Sequence, residues 1–350
     1  MGLGLGEHEV RKLQSTGGST FTVSLPKPWV VEQQLKARDS LRVDWRPSGA
    51  LRITPLDLAT SLEKHVYFNF ETLPDNSLHD HLMGAYISGA DLIAVECDAG
   101  NQQSLKYSIR RFLRSTRGFE IMEETTTRLD LRCLLNAGDM PLHASLNRMY
   151  LQVTSLMRDI VSVVDGAEKD FISDAEDRES EVDALLYLIE RQVRILLDSH
   201  LVATKLNLSR AQALEYANLA RCLERMMDHA FTMAQFITEY PQLIENPTDT
   251  NPIQHVSEWQ SALKELMINI RTRDSARIEE ARHQLKVLQE SLLTYEHNML
   301  NKKGTSQWVA QNLSLSESVR RLCAYSRDFG EILLNMKISS ELMRVHRTVL

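Results

Sequence analysis

The sequence lacks the patterns that would mark a membrane protein, a secreted protein or a zinc-ribbon protein. No apolar run of about eighteen residues occurs and no signal-peptide pattern is present, so we expect a cytoplasmic protein without membrane insertion. The four cysteines are far apart and form no CxxC pair, which argues against a zinc ribbon and a disulfide framework; they are Cys97, Cys133, Cys222 and Cys323.

Common catalytic motifs are also missing. The chain contains no GxxxxGK[ST] loop, no GxGxxG after a strand and no HExxH. His229 and His297 directly follow acidic residues, so neither supplies the Glu-x-x-His of ferritin-like di-iron sites. We therefore expect no enzymatic activity, and a carboxylate-bridged metalloenzyme is the weakest of the functional hypotheses.

What is present is a chain of 350 residues that is 43% hydrophobic, enough for two or three domains with sizeable cores. Its net charge of −7 is unevenly distributed. Residues 1–55 carry eight basic and five acidic side chains, a balance of +3 that leaves −10 for the remainder. A small basic module joined to a large acidic body indicates two separate roles on one chain.

Residues 1–56 have the pattern of short strands separated by turns. Strands are predicted at residues 10–14, 19–25, 41–45 and 51–53, and a short helix at residues 29–35. The first turn contains Gly17 and Gly18, and Pro26 and Pro28 end the second strand. A module of about 45 residues buries too little surface to be stable alone, so we expect it to dimerise.

This module resembles the AbrB/SpoVT family of DNA-binding domains. The matching stretches are Arg11-Lys12-Leu13-Gln14, Gly17-Gly18-Ser19-Thr20, Ser24-Leu25-Pro26-Lys27 and Asp39-Ser40-Leu41-Arg42-Val43. Arg38 stands where the family usually has glycine. The resemblance implies a homodimeric swapped-hairpin β-barrel whose loops bind DNA, with contacts from Arg11, Lys12, Gln14, Thr16, Gly17, Gly18, Ser19 and Lys27. The alternative is a module that dimerises without binding DNA.

Residues 57–139 are predicted to form a small α/β sandwich. Strands are expected at residues 64–71, 91–97, 119–122 and 129–135, and helices at residues 78–88 and 103–116. The resulting βαβαββ order is typical of a sheet with its helices on one face.

Residues 140–350 are predicted to be entirely helical. The first three helices are expected at about residues 141–166, 167–200 and 209–240, followed by a proline-containing break. Three more are expected at residues 253–271, 275–300 and about 314–340. This order indicates an internal duplication, with three-helix repeats at about residues 140–245 and 252–342.

Two helices of the first repeat carry acidic pairs four residues apart. The pairs are Glu179 with Asp183, preceded by Glu176, and Glu224 with Asp228. A spacing of four places both carboxylates on one helix face. On one interpretation these faces are solvated and neutralised by arginines, namely Arg178, Arg221 and Arg225. On the other, they continue apolar stripes and face a partner helix, where they could bind one metal ion or a small cluster.

The helical region resembles the PhoU family of phosphate-uptake regulators. The matching stretches are Glu179-Ser180-Glu181-Val182-Asp183 and Glu224-Arg225-Met226-Met227-Asp228-His229-Ala230. The resemblance implies two three-helix repeats and a divalent or iron/zinc-type metal held by Glu176, Glu179, Asp183, Glu224 and Asp228. In the second repeat Arg320 and Ala324 stand at the carboxylate positions, so we expect one intact acidic site and one lost.

The combination of both regions resembles archaeal regulators and leads to two functional hypotheses. The first is a DNA-binding transcriptional regulator linked to phosphate uptake or homeostasis, with sensing or partner contact in the helical body. The alternative is an adaptor that does not bind DNA and regulates a phosphate transporter or signalling partner.

Overall fold

The structure is a computed structural model that describes residues 9–18, 20–45, 50–56, 63–98, 100–240, 252–301 and 306–342. The chain divides into two compact units, Met1–Lys64 and His65–Leu350. No helix in the described ranges is long and apolar enough to cross a membrane.

The N-terminal unit consists of two antiparallel hairpins and one short helix. Its elements are β1 (Gln14–Thr16), β2 (Thr20–Thr22), α1 (Lys27–Glu32), β3 (Leu41–Trp45) and β4 (Leu51–Pro55). β1 pairs with β2, and β3 pairs with β4. Three of the predicted strands are present, although β2 is shorter than expected. The first strand, predicted at residues 10–14, was misplaced: β1 covers Gln14–Thr16 and shares only Gln14 with the prediction.

This unit has almost no core of its own. Pro55 is the only buried residue among those described in residues 9–64. Eight large apolar side chains are exposed: Val10, Leu13, Phe21, Val23, Val31, Val43, Leu51 and Leu56. Hairpins that leave their apolar side chains in water gain little hydrophobic stabilisation without a covering surface.

The second unit begins with the predicted βαβαββ arrangement. Its elements are β5 (His65–Asn69), α2 (Leu78–Ile87), β6 (Leu92–Glu96), α3 (Gln102–Ser115), β7 (Phe119–Glu124) and β8 (Arg128–Cys133). The sheet order is β5-β6-β8-β7, with β5 parallel to β6 and the other pairs antiparallel. Ile93, Val95, Leu129 and Leu131 belong to its buried core, together with side chains of the two helices.

The rest of this unit is helical and shares one continuous core. Its helices are α4 (Leu142–Val164), α5 (Ala175–Asp198), α6 (His200–Leu206), α7 (Arg210–Glu239), α8 (Val256–Thr272), α9 (Ser275–Leu300) and α10 (Ser306–Glu341). α4, α5 and α7 pack together, as do α8, α9 and α10, and α7 packs on α10. At the join between the two groups, the Trp259 indole donates a hydrogen bond to Ser326 Oγ at 2.8 Å.

Several helix boundaries differ from the sequence prediction. α5 begins at Ala175, because a 3-10 turn at Lys169–Ile172 occupies the residues before it. The short helix α6 was not predicted, and α10 begins about two turns earlier than expected. Residues 241–251, which contain most of the predicted break, lie outside the described residues. The domain boundaries at residues 56 and 139 remain predictions.

A buried arginine on α5 contacts the α/β part. Arg191 is 2% exposed and donates from Nη1 to the Tyr86 carbonyl at 2.8 Å. Its guanidinium carbon lies 5.2 Å from the Tyr86 ring centroid and 5.4 Å from that of Phe119. These contacts fix α5 against the α/β core, because a buried guanidinium is stable only when its donors and charge are satisfied.

We expect Trp259→Phe to lower the free energy of unfolding by about 1–3 kcal/mol. The substitution removes packed volume from a fully buried site and deletes the bond to Ser326. Thermal or urea unfolding measures the change. The control is Trp308→Phe, at a half-buried tryptophan, which should cost less. Equal costs for both substitutions would contradict the assignment of Trp259 to the core that joins the two helix groups.

Candidate functional site

The predicted acidic residues meet where α5 packs against α7. Glu179 and Asp183 lie on α5, and Glu224 and Asp228 lie on α7. These four residues are called the acidic cluster below. Their charges interact across the interface, since Asp228 contributes to the raised pKa values of both Glu179 and Asp183. The structure therefore brings together the two pairs that the sequence places about 45 residues apart.

The cluster is held in surroundings that favour neutral carboxyl groups. Burial, together with the charges of Glu179 and Asp228, raises the pKa of Asp183 to about 6. Burial, Asp228 and Asp183 raise the pKa of Glu224 to about 7. The pKa of Asp228 is also raised by burial, although His229 and Arg225 oppose this effect. Partial removal from water and mutual repulsion both penalise the charged form.

The neighbouring arginines are engaged elsewhere. Arg178 pairs with Asp159 at 2.6 Å and with Asp174 at 2.9 Å. Arg221 pairs with Glu190 at 2.5 Å, and the Arg225 guanidinium lies over the Tyr325 ring at 5.6 Å. The interpretation in which these arginines form direct ion pairs with the cluster is therefore not what the geometry shows.

Three cluster carboxylates have no direct partner among the described residues. The carboxylate groups of Asp183, Glu224 and Asp228 form no hydrogen bond or ion pair with any residue that the structure describes. Glu179 accepts only a long bond, 3.4 Å, from the Ser180 hydroxyl. Oxygen atoms that are partly removed from water without a donor are positioned to accept a cation or a proton.

Glu176 is peripheral to this group. It lies exposed in the first turn of α5, and its charge makes the smallest contribution to the raised pKa of Glu179. Its position one turn from Glu179 follows from the spacing, as predicted.

Tyr187 is a member of the site that the sequence analysis missed. Burial and the charges of Asp183 and Glu224 raise its pKa to about 12. Its side chain also packs against the core of the α/β part. The available signal was its spacing of four from Asp183, which places the phenol on the acidic stripe of α5. Tyr187 thus connects the cluster to the α/β part.

The side chains of the acidic cluster have the chemistry to bind a metal ion, but they are not positioned to hold one. Carboxylate oxygens suit hard divalent cations, and half-buried carboxylates gain from a nearby positive charge. However, no group of three or more His, Cys, Asp or Glu side chains within the described ranges is arranged to hold a metal ion. The metal assignment for Glu176, Glu179, Asp183, Glu224 and Asp228 remains a prediction.

The second repeat contains an ion pair near the position that corresponds to the cluster. Arg320 Nε lies 3.1 Å from Glu296, and the Ser316 hydroxyl donates to the same carboxylate at 3.0 Å. Both charged side chains are about one quarter exposed or less. The interface between α9 and α10 is therefore neutral at this point, whereas the cluster carboxylates between α5 and α7 form no ion pair with the residues that the structure describes.

The predicted DNA-binding residues lie in and around the first hairpin. Gln14 and Thr16 belong to β1, and Gly17 and Gly18 form its turn with φ of 67° and 82°. Lys27 begins α1. Arg11 and Lys12 precede β1, and Arg11 pairs with Glu9. Ser19 lies outside the described residues, and Gln14, Thr16 and Lys27 are exposed.

Comparison with known proteins identifies one region of the chain. Residues 146–237 match the family model of the PhoU domain. This range runs from the first turns of α4 almost to the end of α7 and contains the whole acidic cluster. No curated protein and no solved structure matches the chain. The match to the PhoU domain supports the resemblance of the helical region to that family. The resemblance of the N-terminal unit to the AbrB/SpoVT family still depends on its own sequence motifs.

We predict that Asp183→Asn combined with Glu224→Gln stabilises the metal-free protein at pH 8 by about 1–2 kcal/mol. Between the unfolded values, near 4, and the raised native values, the native state binds more protons than the unfolded chain. The contribution of these two carboxyl groups to the stability of the wild type is therefore present at low pH and lost as the pH rises through about 6 to 7. The gain in the variant should shrink as the pH falls below about 6 and disappear below about pH 4, where the carboxyl groups of the unfolded chain are protonated as well.

Urea unfolding at several pH values, in the presence of a chelator, measures this difference. The control is Glu181→Gln on the same helix, where the pKa is lowered by the hydrogen bond from Arg148. That substitution should destabilise the protein at neutral pH. A double variant that is less stable than wild type at pH 8 would show that the cluster has favourable partners.

Proposed function

We propose that this protein regulates phosphate uptake or phosphate homeostasis and that it acts on transcription by binding DNA. The match of residues 146–237 to the PhoU domain carries the phosphate assignment, since the name of that domain belongs to phosphate-uptake regulation. The N-terminal unit supplies the DNA-binding part, on the basis of its resemblance and its charge of +3. No catalytic step is part of this proposal.

In this proposal the acidic cluster is the sensing or partner-contact end. Asp183, Glu224 and Asp228 have no direct partner among described residues, and a cation beside them would relieve their mutual repulsion. A divalent or iron/zinc-type metal would supply that charge, with Glu179 completing the donor set. Any ligand bound only by the native state stabilises that state, so occupancy and stability are linked.

The proposal also includes a homodimer formed through the N-terminal unit. The exposed apolar side chains of both hairpins, such as Phe21 at 65% and Val43 at 58%, are the surface that a second copy would cover. Four free cysteines agree with the reducing conditions of the cytoplasm, where we place the protein.

The alternative function is an adaptor that regulates a phosphate transporter or a signalling protein without binding DNA. One observation favours it: Arg11, a candidate phosphate contact, already pairs with Glu9 inside the module. An arginine that must give up an internal partner contributes less to binding a phosphate group.

Arg11→Ala combined with Lys12→Ala tests the DNA assignment. Loss of two phosphate contacts should weaken binding to all duplexes and reduce the slope of log K against log salt concentration by about 1.8. A gel-shift or anisotropy titration with the protein's own upstream DNA provides the measurement. The matched control, Lys36→Ala with Lys64→Ala, removes the same charge from other exposed positions. No binding by the wild type would instead support the adaptor.

Phe21→Asp tests the dimer in the full-length protein. Placing a charge on the apolar surface of β2 should shift the sedimentation equilibrium from dimer toward monomer, because desolvating an unpaired carboxylate is costly. Leu300→Asp is the control, since that side chain is 67% exposed and lies on α9. A wild-type protein that is monomeric at all concentrations would refute the proposed assembly.

A further inference from the structure

The outer side of α3 carries an unpaired basic surface within an acidic protein. Tyr107, Arg110, Arg111 and Arg114 are all exposed, and their spacing of three, four and seven places them on one helix face. These four residues are called the arginine face. Tyr107 is 73% exposed, the highest value among the large apolar and aromatic side chains of the α/β part.

None of the three arginines is neutralised by a described residue of the protein. Their guanidinium groups form no ion pair or hydrogen bond with any residue that the structure describes. The neighbouring Lys106 provides a contrast, because it pairs with Glu124 at 2.5 Å. Like charges three and four residues apart destabilise a helix by a few tenths of a kcal/mol each, so this face opposes the stability of the isolated chain.

Folding does not require the arginine face. The opposite side of α3 supplies Leu105, Ile109 and Phe112 to the buried core, which anchors the helix. The arginines therefore remain available for contact with a partner of negative charge.

We infer that the arginine face binds the phosphate backbone of duplex DNA, as a second set of contacts besides those of the N-terminal unit. This inference rests on the proposed function, because it requires a DNA-binding protein. Arginine guanidinium groups and the hydroxyl of a tyrosine are common donors to phosphate oxygens. Successive members of the face are separated by about 1.5–4.5 Å along the helix axis, a spacing that permits several phosphate contacts along one strand.

The composition of α3 favours duplex DNA over an anionic membrane. A helix that lies on a membrane needs several large apolar side chains beside its basic residues. The apolar side chains of α3 are instead buried in the core, and Tyr107 is the single aromatic group on the exposed face. An acidic protein surface is the remaining competitor, and it is an outcome of the experiment below.

The test uses the full-length protein with two fluorescent duplexes, one from its own upstream DNA and one of scrambled sequence. We expect Arg110→Gln, Arg111→Gln and Arg114→Gln together to weaken binding to both duplexes and to reduce the salt slope by about 2.7. Equal losses on both duplexes are expected because phosphate contacts carry no sequence information. The single substitution Arg114→Gln should reduce the slope by about 0.9, and replacement of all three by lysine should retain it.

The matched control removes three other unpaired, exposed arginines, namely Arg158, Arg194 and Arg210, by substitution with glutamine. This control lowers the net charge by the same amount. If the DNA contacts are specific to α3, it should leave the salt slope of DNA binding nearly unchanged. Thermal melting of each variant confirms that the fold is retained, and the lysine and single variants answer the question if the triple variant does not fold.

Two results separate failure of this inference from failure of the proposed function. If the triple variant matches its control while Arg11→Ala with Lys12→Ala reduces the slope, the inference is wrong and DNA binding stands. If the wild type binds neither duplex, the proposed function and the inference both fail. The inference is also overturned if the triple variant still binds DNA but no longer binds anionic phospholipid vesicles or a polyglutamate chain.

Discussion

The packing of α5 against α7 is the contact on which the second unit depends. Both helices must bury apolar stripes, and Val182, Leu186, Leu223 and Met227 do so almost completely. The same interface removes carboxylates from water without giving them direct partners. Desolvation of a fully buried ion costs several kcal/mol, so the half-buried cluster is tolerable only because the surrounding apolar contacts outweigh it. The helix pair therefore combines repulsion between carboxylates with an otherwise well-packed core.

The two repeats deal with the corresponding interface in different ways. In the second repeat, Arg320 and Glu296 neutralise each other, and Ser316 adds a hydrogen bond to the carboxylate. In the first repeat, the nearby arginines pair with carboxylates outside the acidic cluster or lie over an aromatic ring. A neutral interface favours a fixed structure, whereas an uncompensated one responds to protons, cations and charged partners. The two repeats thus differ in how they treat charge at the corresponding helix interface.

Sequence patterns predicted those features that depend on local periodicity. The βαβαββ order and the meeting of the acidic pairs follow from apolar spacing, which reports directly which face of an element is buried. The short helix α6 and the early start of α10 were missed because neither has an uninterrupted apolar stripe. Arg191 was also missed, because its role depends on Tyr86 and Phe119, which are distant in sequence. Tyr187 was missed although its spacing from Asp183 placed it on the acidic stripe, because its contact with the α/β core is not visible in the sequence. The pattern of a single sequence cannot show which residue, distant along the chain, will cover a given side chain.

The buried Arg191 has a consequence for how this protein can be divided. The stripe that carries Glu179, Asp183 and Tyr187 continues, at the same spacing of four, to Arg191 beneath the α/β core. Removal of the α/β part would leave this guanidinium without its carbonyl acceptor and its aromatic neighbours. It would also remove the core against which Tyr187 packs. A helical part cut from the chain at residue 140 should therefore be less stable than the same helices in the full chain, because two side chains of α5 would lose their contacts.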